Sequence, residues 1–548
     1  MSEEPLRLVS TGVPNLNSIL GGGIPRYSVN IIAGPSGSGK TILTQQIMFR
    51  NCREDVRGIF FTTLSEPAFK MIRYQQQFSF FDLDRLNQNI YFIDIGQILR
   101  SKSLDETLRV INQHVEEIGA QFITIDSFKA VYELVGTRQD ERRFGYDLAV
   151  SLATWTCTSF LVGEYTETEI NNEPIFAVAD GIFYLTNPRQ GMQNVRRINI
   201  SKMRGMDYFT GDHPFTISTN GITVYPRIRT PETFTEYAMV NDRVSTGIDD
   251  LDKMIEGGMP RGTATMVAGG AGTGKTLHGL HFITNGAQHN EPGVIVTFQE
   301  NPVQLREIAR SFGWDLHQME EDGLVAHLYQ SPVEIQPDIH TDLVKQAVNK
   351  IKARRVLIDS LRDLEIATPD KVRYRDYVYS LVEDFKRLGI TTLITNEISQ
   401  LFGNFQLSDY GISFIADNVI LLRYVELEGH ITRALNVLKV RGSYHNKMIW
   451  EYRITDDGIT ITEPIHAVTG ILVGSPVMSE VTAKVDLPPR TRYVLLILRS
   501  LGEATVDQLE EHTGMKRQYI AQELDILQEH KLITLENKGK QPIYKSTV

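Results

Sequence analysis

Gly34-Pro35-Ser36-Gly37-Ser38-Gly39-Lys40-Thr41 lies between a short apolar run, Ser28 to Ala33, and a stretch with helical spacing, Thr41 to Phe49. The order reads as buried strand, glycine-rich turn, helix. The octet recurs as Gly269-Gly270-Ala271-Gly272-Thr273-Gly274-Lys275-Thr276. Both copies fit GxxxxGK[ST], a pattern in which backbone N–H groups wrap phosphates and the following helix turns its positive end toward them. The expected phosphate contacts are Gly34, Ser36, Gly37, Ser38, Gly39, Lys40 and Thr41 in the first copy. In the second they are Gly269, Ala271, Gly272, Thr273, Gly274, Lys275 and Thr276. Lys40 and Lys275 would reach the terminal phosphates, and the hydroxyls of Thr41 and Thr276 would ligate Mg2+.

The likeness between the two halves continues on either side of the octets at a nearly constant offset. Val9-Ser10-Thr11-Gly12 returns as Val244-Ser245-Thr246-Gly247, and Gly21-Gly22-Gly23-Ile24-Pro25-Arg26 as Glu256-Gly257-Gly258-Met259-Pro260-Arg261. Glu66, Asp126 and Arg204 return as Glu300, Asp359 and Arg441. This is an internal repeat of one domain. Gly58–Thr62, Phe122–Asp126 and Phe160–Gly163 read as further strands, and so do Thr265–Ala268, Val294–Thr297, Val356–Asp359 and Thr392–Thr395. Strands alternating with helices predict an α/β fold with mainly parallel sheets flanked by helices. The expected domains are residues 1–238 and 239–480, then a linker, 481–489, marked by Asp486-Leu487-Pro488-Pro489, then a small domain, 490–548. A chain of 548 residues has room for that many.

Asp126 and Asp359 each end an apolar strand and precede a serine. A carboxylate there suits the shell of a hard cation, or it caps a turn. Glu66 and Glu300 are read as ending the strand after the first helix, where a carboxylate could take a proton from an attacking water, or favour a helix entry. Lys202-Met203-Arg204-Gly205 and Lys439-Val440-Arg441-Gly442 follow strand-like text. Cations in such a turn stabilise a transferring phosphoryl group if supplied from another subunit; by residue type alone, a basic turn facing solvent is the simpler reading.

Composition narrows the field. The formal charge of −11 argues against coating nucleic acid along the whole length. Cys52 and Cys157 form no CxxC pair, so neither a disulfide framework nor a cysteine zinc site is supported, and two incidental thiols are the simpler reading. Met1-Ser2-Glu3-Glu4-Pro5 does not open a signal peptide, and no run is long and apolar enough to span a bilayer. A cytoplasmic protein with no membrane partner is expected.

Both copies resemble the KaiC branch of the RecA-like ATPases over roughly residues 5–475. Glu291–Phe298, Ser311–Leu316, Ala353–Ser360, Ala416–Leu422 and Val440–His445 carry the likeness in the second copy. It implies two tandem RecA-like P-loop NTPase domains, ATP with Mg2+ between neighbouring subunits, and a homohexamer of two stacked rings. It also implies that Lys202, Arg204, Lys439 and Arg441 reach the neighbour's nucleotide. The implied role is a nucleotide-dependent regulatory switch. The family commonly has two consecutive glutamates at the catalytic position; Ser65 and Gln299 replace the first, leaving Glu66 and Glu300 and pointing to slow hydrolysis or to one ring that mainly binds. The Ser-Thr pair autophosphorylated in the circadian member aligns with Ser413-Phe414. Ser413 is thus the candidate phosphosite of an autokinase, and Phe414 has no hydroxyl.

Residues 490–548 break from the repeat. Arg492–Leu501, Thr505–His512 and Lys516–His530 have helical spacing, and Leu532–Leu535 with Ile543–Lys545 reads as a hairpin. The set resembles a winged helix-turn-helix. Lys516, Arg517 and Gln518 would open the recognition helix toward DNA, with Lys538 and Lys540 on the wing. Its near-balanced charge leaves a regulatory protein as an equal alternative. A RecA-type recombination or remodelling ATPase would use the same segment on DNA. The acidic balance and the two complete copies weigh against that reading.

Overall fold

A computed structural model describes residues 7–63, 68–101, 104–132, 146–148, 151–152, 154, 156–190, 193–229, 242–332, 335–368, 370–398, 415–427, 430–465, 468–469, 477–478, 487–538 and 541–546. Glu66, Ser413 and Lys540 lie outside them, as does the side chain of Lys538. Two compact units divide the chain, Met1–Ile228 and Arg229–Val548.

The sheet of the first unit has nine strands. They are β1 (Val29–Ala33), β2 (Gly58–Thr62), β3 (Ile90–Asp94), β4 (Phe122–Asp126), β5 (Thr158–Gly163), β6 (Gly181–Thr186), β7 (Arg197–Met203), β8 (Asp212–Ser218) and β9 (Gly221–Val224). Their spatial order is β9-β8-β7-β6-β1-β5-β4-β2-β3. From β6 to β3 the strands are parallel. β7, β8 and β9 return antiparallel. Neighbouring residues of a strand face opposite sides, so a sheet covered on both sides needs unbroken apolar strands. Ile32, Phe60 and Phe160 join Leu43 and Ile47 of helix α1 (Lys40–Asn51) in one core. Their neighbours Ile31, Phe61 and Leu161 join Ile111 and Val115 of α2 (Leu104–Ile118) in the other.

The second unit repeats this topology with β10 (Ala264–Gly269), β11 (Gly293–Thr297), β12 (Val325–Tyr329), β13 (Arg355–Asp359), β14 (Thr391–Glu397), β15 (Asn418–Leu427), β16 (His430–Val440), β17 (Ile449–Thr455) and β18 (Gly458–Pro464). The order is β12-β11-β13-β14-β10-β15-β16-β17-β18. Leu280 and Ile283 of α3 (Lys275–Gln288) pack on Val267, Ile295 and Leu357. Helix α4 (Lys371–Arg387) buries Tyr374, Tyr377, Leu381 and Phe385. Among the described residues no helix is long and apolar enough to cross a membrane.

The strands expected from apolar runs are present in both units. The half-buried edge strands β3 and β12 were not among the strands expected; His327 interrupts β12, whereas Ile90 to Ile93 of β3 is an apolar and aromatic run that could have been read. The C-terminal residues form α5 (Pro489–Leu501), α6 (Val506–Thr513) and α7 (Arg517–Glu529), with a sheet of β19 (Glu503–Ala504), β20 (Ile533–Lys538) and β21 (Gln541–Ser546) in the order β19-β21-β20. Thr505 caps α6 in a reciprocal box with Gln508. Val494, Leu498, Leu509, Ile520, Leu524 and Leu527 make a separate core. Leu487 belongs to that core, and Pro489 is the first helical residue, where a missing N–H costs nothing. The expected linker therefore ends earlier than residue 489.

Equivalent strand starts are built differently in the two units. Phe122 opens β4 inside an apolar core, opposite Gly58. Arg355 opens β13, opposite Gly293, and is 3% exposed. Its guanidinium donates to Glu291 Oε2 at 2.6 and 2.8 Å and to the carbonyls of Ser245 (3.0 Å) and Phe282 (2.8 Å). It also lies 4.9 Å from the centroid of the Phe282 ring. One cation thus ties a loop, a helix and a strand together. Removing one member of a buried pair strands the other. Arg355→Met is expected to destabilise the second unit by about 3 kcal/mol. Denaturant unfolding followed by tryptophan fluorescence, with Trp314 and Trp450 in this unit, tests this; an unchanged midpoint would show that the pair is dispensable.

Candidate functional site

Each phosphate-type loop leaves the carboxyl end of a central parallel strand and enters a helix. In the first unit β1 runs into Gly34 and α1 starts at Lys40; in the second β10 ends at Gly269 and α3 starts at Lys275. Gly39 and Gly274 take φ values of 102° and 88°, in the left-handed region that L side chains avoid. A side chain on Gly34 would meet the Leu185 carbonyl oxygen at 2.0 Å. The helix start leaves N–H groups without intrahelical partners, as an anion site requires.

Lys40 and Lys275 are buried and cross their own loops. Lys40 Nζ donates to the Pro35 carbonyl (2.7 Å) and Lys275 Nζ to that of Gly270 (2.8 Å). Burial pulls the Lys40 ammonium below its ordinary pKa, while the charges of Glu164 and Asp126 oppose this. Thr41 Oγ1 donates to Asp126 Oδ2 (2.6 Å) and Thr276 Oγ1 to Asp359 Oδ2 (2.7 Å). The hydroxyl and carboxylate expected around a cation are thus in contact in both copies. The peptide bond after each of these aspartates is cis. Asp359 also accepts from Thr395 Oγ1. Burial nevertheless pushes its carboxyl above the ordinary range, against these hydrogen bonds and the charge of Lys275.

Glu300 stands three residues beyond the end of β11, not on it; its carbonyl accepts from Thr297 Oγ1 (2.9 Å). Burial raises the Glu300 carboxyl, and the charge of Asp359 raises it further. Gln299, at the position of the replaced glutamate, donates through Nε2 to Asp363 Oδ1 (2.8 Å). Buried acids beside a buried lysine and an exposed helix start could accommodate a polyphosphate with a divalent cation, since each charge gains from the complement.

Two acids went unread in the sequence. Glu397, at the end of β14, lies 3.6 Å from Lys275 Nζ. Glu164, just past β5, acts on Lys40 in the same sense. Their separation along the chain equals that of Asp126 and Asp359, and this shared offset was the available signal.

The basic turns lie elsewhere. Arg204 N donates to the Asp180 carbonyl (2.8 Å), and Asp180 N to that of Val29, the first residue of β1 (2.8 Å). Arg441, Asp417 and Ala264, the first residue of β10, repeat the chain of contacts at 3.2 and 2.8 Å. Lys202 Nζ donates to the Ala177 carbonyl (3.0 Å) and Lys439 Nζ to that of Ala416 (2.8 Å). These cations therefore sit at the amino end of the sheet, and the loops at its carboxyl end. In the C-terminal segment Lys516 and Gln518 are exposed, and Arg517 is held by Asp507 at 2.5 Å.

The KaiC ATPase family model matches residues 9–229 and again 244–466. The circadian clock oscillator protein KaiC of Synechococcus elongatus is 30% identical over 499 residues, covering 88% of this chain and 94% of that protein. KaiC 1 of a Synechocystis species is 30% identical, with 89% and 95% covered, and KaiC of a Picosynechococcus species is 29% identical, with 87% and 94% covered. With two such matched domains, each built on a sheet of the same topology, the chain belongs to the KaiC family of ATPases.

Proposed function

We propose that the chain binds ATP with Mg2+ at both loops and hydrolyses it between copies of itself. The assembly proposed is a hexameric double ring that serves as a nucleotide-dependent regulatory switch. The observation that carries this reading is the position of Lys202, Arg204, Lys439 and Arg441 at the opposite end of the sheet from their own loops. β10 has six residues, and such a strand spans about 17–20 Å. That is more than an arginine side chain can bridge, so these cations do not serve their own domain's loop, and in this reading they serve a loop of another copy.

In this reading the loop amides and Lys40 or Lys275 hold the phosphates. Thr41 with Asp126, and Thr276 with Asp359, hold the Mg2+, which would neutralise charge on the terminal phosphates. Glu300 accepts the proton of a water whose oxygen bonds the γ-phosphorus, as the bond from phosphorus to the ADP oxygen breaks. The neighbour's Arg441 stabilises the charge that moves onto the phosphoryl oxygens. Glu66 has the corresponding role in the first copy by position. With Gln299 turned to Asp363 and no second glutamate beside Glu300, turnover is expected to be slow.

We read the C-terminal elements as a winged helix that docks a regulatory protein. Arg517 is occupied by Asp507, and the exposed side of α7 also carries Asp525 and Glu529, which disfavours a phosphate backbone. A cytoplasmic setting fits these roles. A serine autokinase acting at Ser413 stands on the family resemblance alone.

Lys275→Ala should reduce bound ATP from two to one per chain and weaken assembly. Equilibrium binding with labelled ATP measures this, and two bound nucleotides in the variant would overturn the site. Completion between copies has its own test. Lys40→Ala/Lys275→Ala chains mixed with Arg204→Ala/Arg441→Ala chains pair some intact loops with intact cations. The mixture should release ADP faster than the sum of the two alone; a merely additive rate would refute action across subunits.

A further inference from the structure

Asp180 and Asp417 do more than mark the start of β6 and β15. In the first unit Asp180 Oδ2 accepts from Val29 N (3.0 Å) and Oδ1 from Arg204 Nη1 (3.0 Å). In the second Asp417 Oδ2 accepts from Ala264 N (3.0 Å), while Oδ1 meets Arg441 Nη1 at 3.4 Å. Each carboxylate therefore joins two things: the first N–H of the strand that leads to its own phosphate loop, and the arginine directed away from it. In the second unit Lys386 of α4 adds an ion pair to Asp417 Oδ2 at 2.9 Å. The aspartates are sheltered, with side chains 25% and 8% exposed, whereas Arg204 and Arg441 are 64% and 72% exposed. An exposed arginine has many rotamers, and a fixed carboxylate at its root restricts them before any partner arrives.

The repetition argues against an incidental surface pair. The two units differ in their buried strand-start residues, Phe122 and Arg355, yet keep the same five-part arrangement: strand amide, aspartate carboxylate, aspartate carbonyl, arginine amide, guanidinium. An isolated exposed ion pair stabilises little and would not be worth building twice for stability.

We propose that Asp180 and Asp417 are positioning residues for the neighbour's ATP site. Each orients the arginine that reaches across, and anchors it to the first residue of its own phosphate-loop strand. This rests on the reading that Arg204 and Arg441 act on another copy.

The test uses full-length chains altered in both copies at once. Asp180→Asn/Asp417→Asn keeps an oxygen for the strand amide but removes the charge that holds the guanidinium. Turnover should fall about tenfold with the KM for Mg·ATP changed less than about twofold. Combined with Arg204→Ala/Arg441→Ala, the same change should cause no further loss, because it acts only through the arginine. A further fall of about tenfold in that background would overturn the proposal, as would unchanged turnover in the aspartate variant or a loss confined to KM. Thermal midpoints of all variants, measured without nucleotide, separate these outcomes from unfolding. If the mixed lysine and arginine variants complement each other while the aspartate losses add, the trans site stands and only the role of Asp180 and Asp417 falls.

Discussion

The polarity of a parallel sheet is the constraint on which the rest depends. β1 and β10 lie at the centre of parallel strands that all point their carboxyl ends the same way. Loops leaving those ends gather the glycine turns, the buried lysines and the acids Asp126, Asp359, Glu164 and Glu397. β7 and β16 then run back antiparallel and deliver Lys202, Arg204, Lys439 and Arg441 to the other end. The same backbone geometry that collects the loops and acids at one end of each sheet places the basic turns at the other. In the proposed function each domain presents its loop at one end and its basic turn at the other, and the two are completed by another copy.

The two domains share that layout and differ in how firmly it is fastened. In the second, Tyr424 Oη donates to the Gly272 carbonyl (2.7 Å) and Tyr452 Oη to that of Thr273 (2.5 Å), pinning the phosphate loop from β15 and β17. In the first, Ile217 and Phe215, a ring without a hydroxyl, come within 3.2 and 3.6 Å of where a side chain on Gly39 would begin. The second domain also spends a buried arginine where the first has Phe122. Buried charge networks of this kind hold geometry more than they add stability. Both loops are crossed by their own lysine, and the second gains the two tyrosine hydroxyl bonds besides.

Much of this was legible in the residues. Apolar runs such as Ile31 to Ala33 and Val356 to Ile358 announce strands covered on both faces, and the glycine octets announce the loops between strand and helix. The contact of Thr41 with Asp126 follows once both are placed at the same end of one sheet. Other features gave no local signal. Glu164, Glu397, Asp180 and Asp417 are single acids at strand ends, with no periodicity to separate them from solvated charge. β12 is broken by His327, while the run Ile90 to Ile93 of β3 was a signal available and not used. The pairing of Arg517 with Asp507 depends on how two helices pack, which spacing does not specify.

Completion of the site between copies is tested most directly by turnover at different chain concentrations. Sedimentation and ADP release would be followed on the same samples, with and without Mg·ATP. A site shared between subunits predicts that turnover per chain rises with concentration in step with assembly and vanishes in dilute single chains. Full turnover per chain in a sample that sediments as a monomer would contradict it.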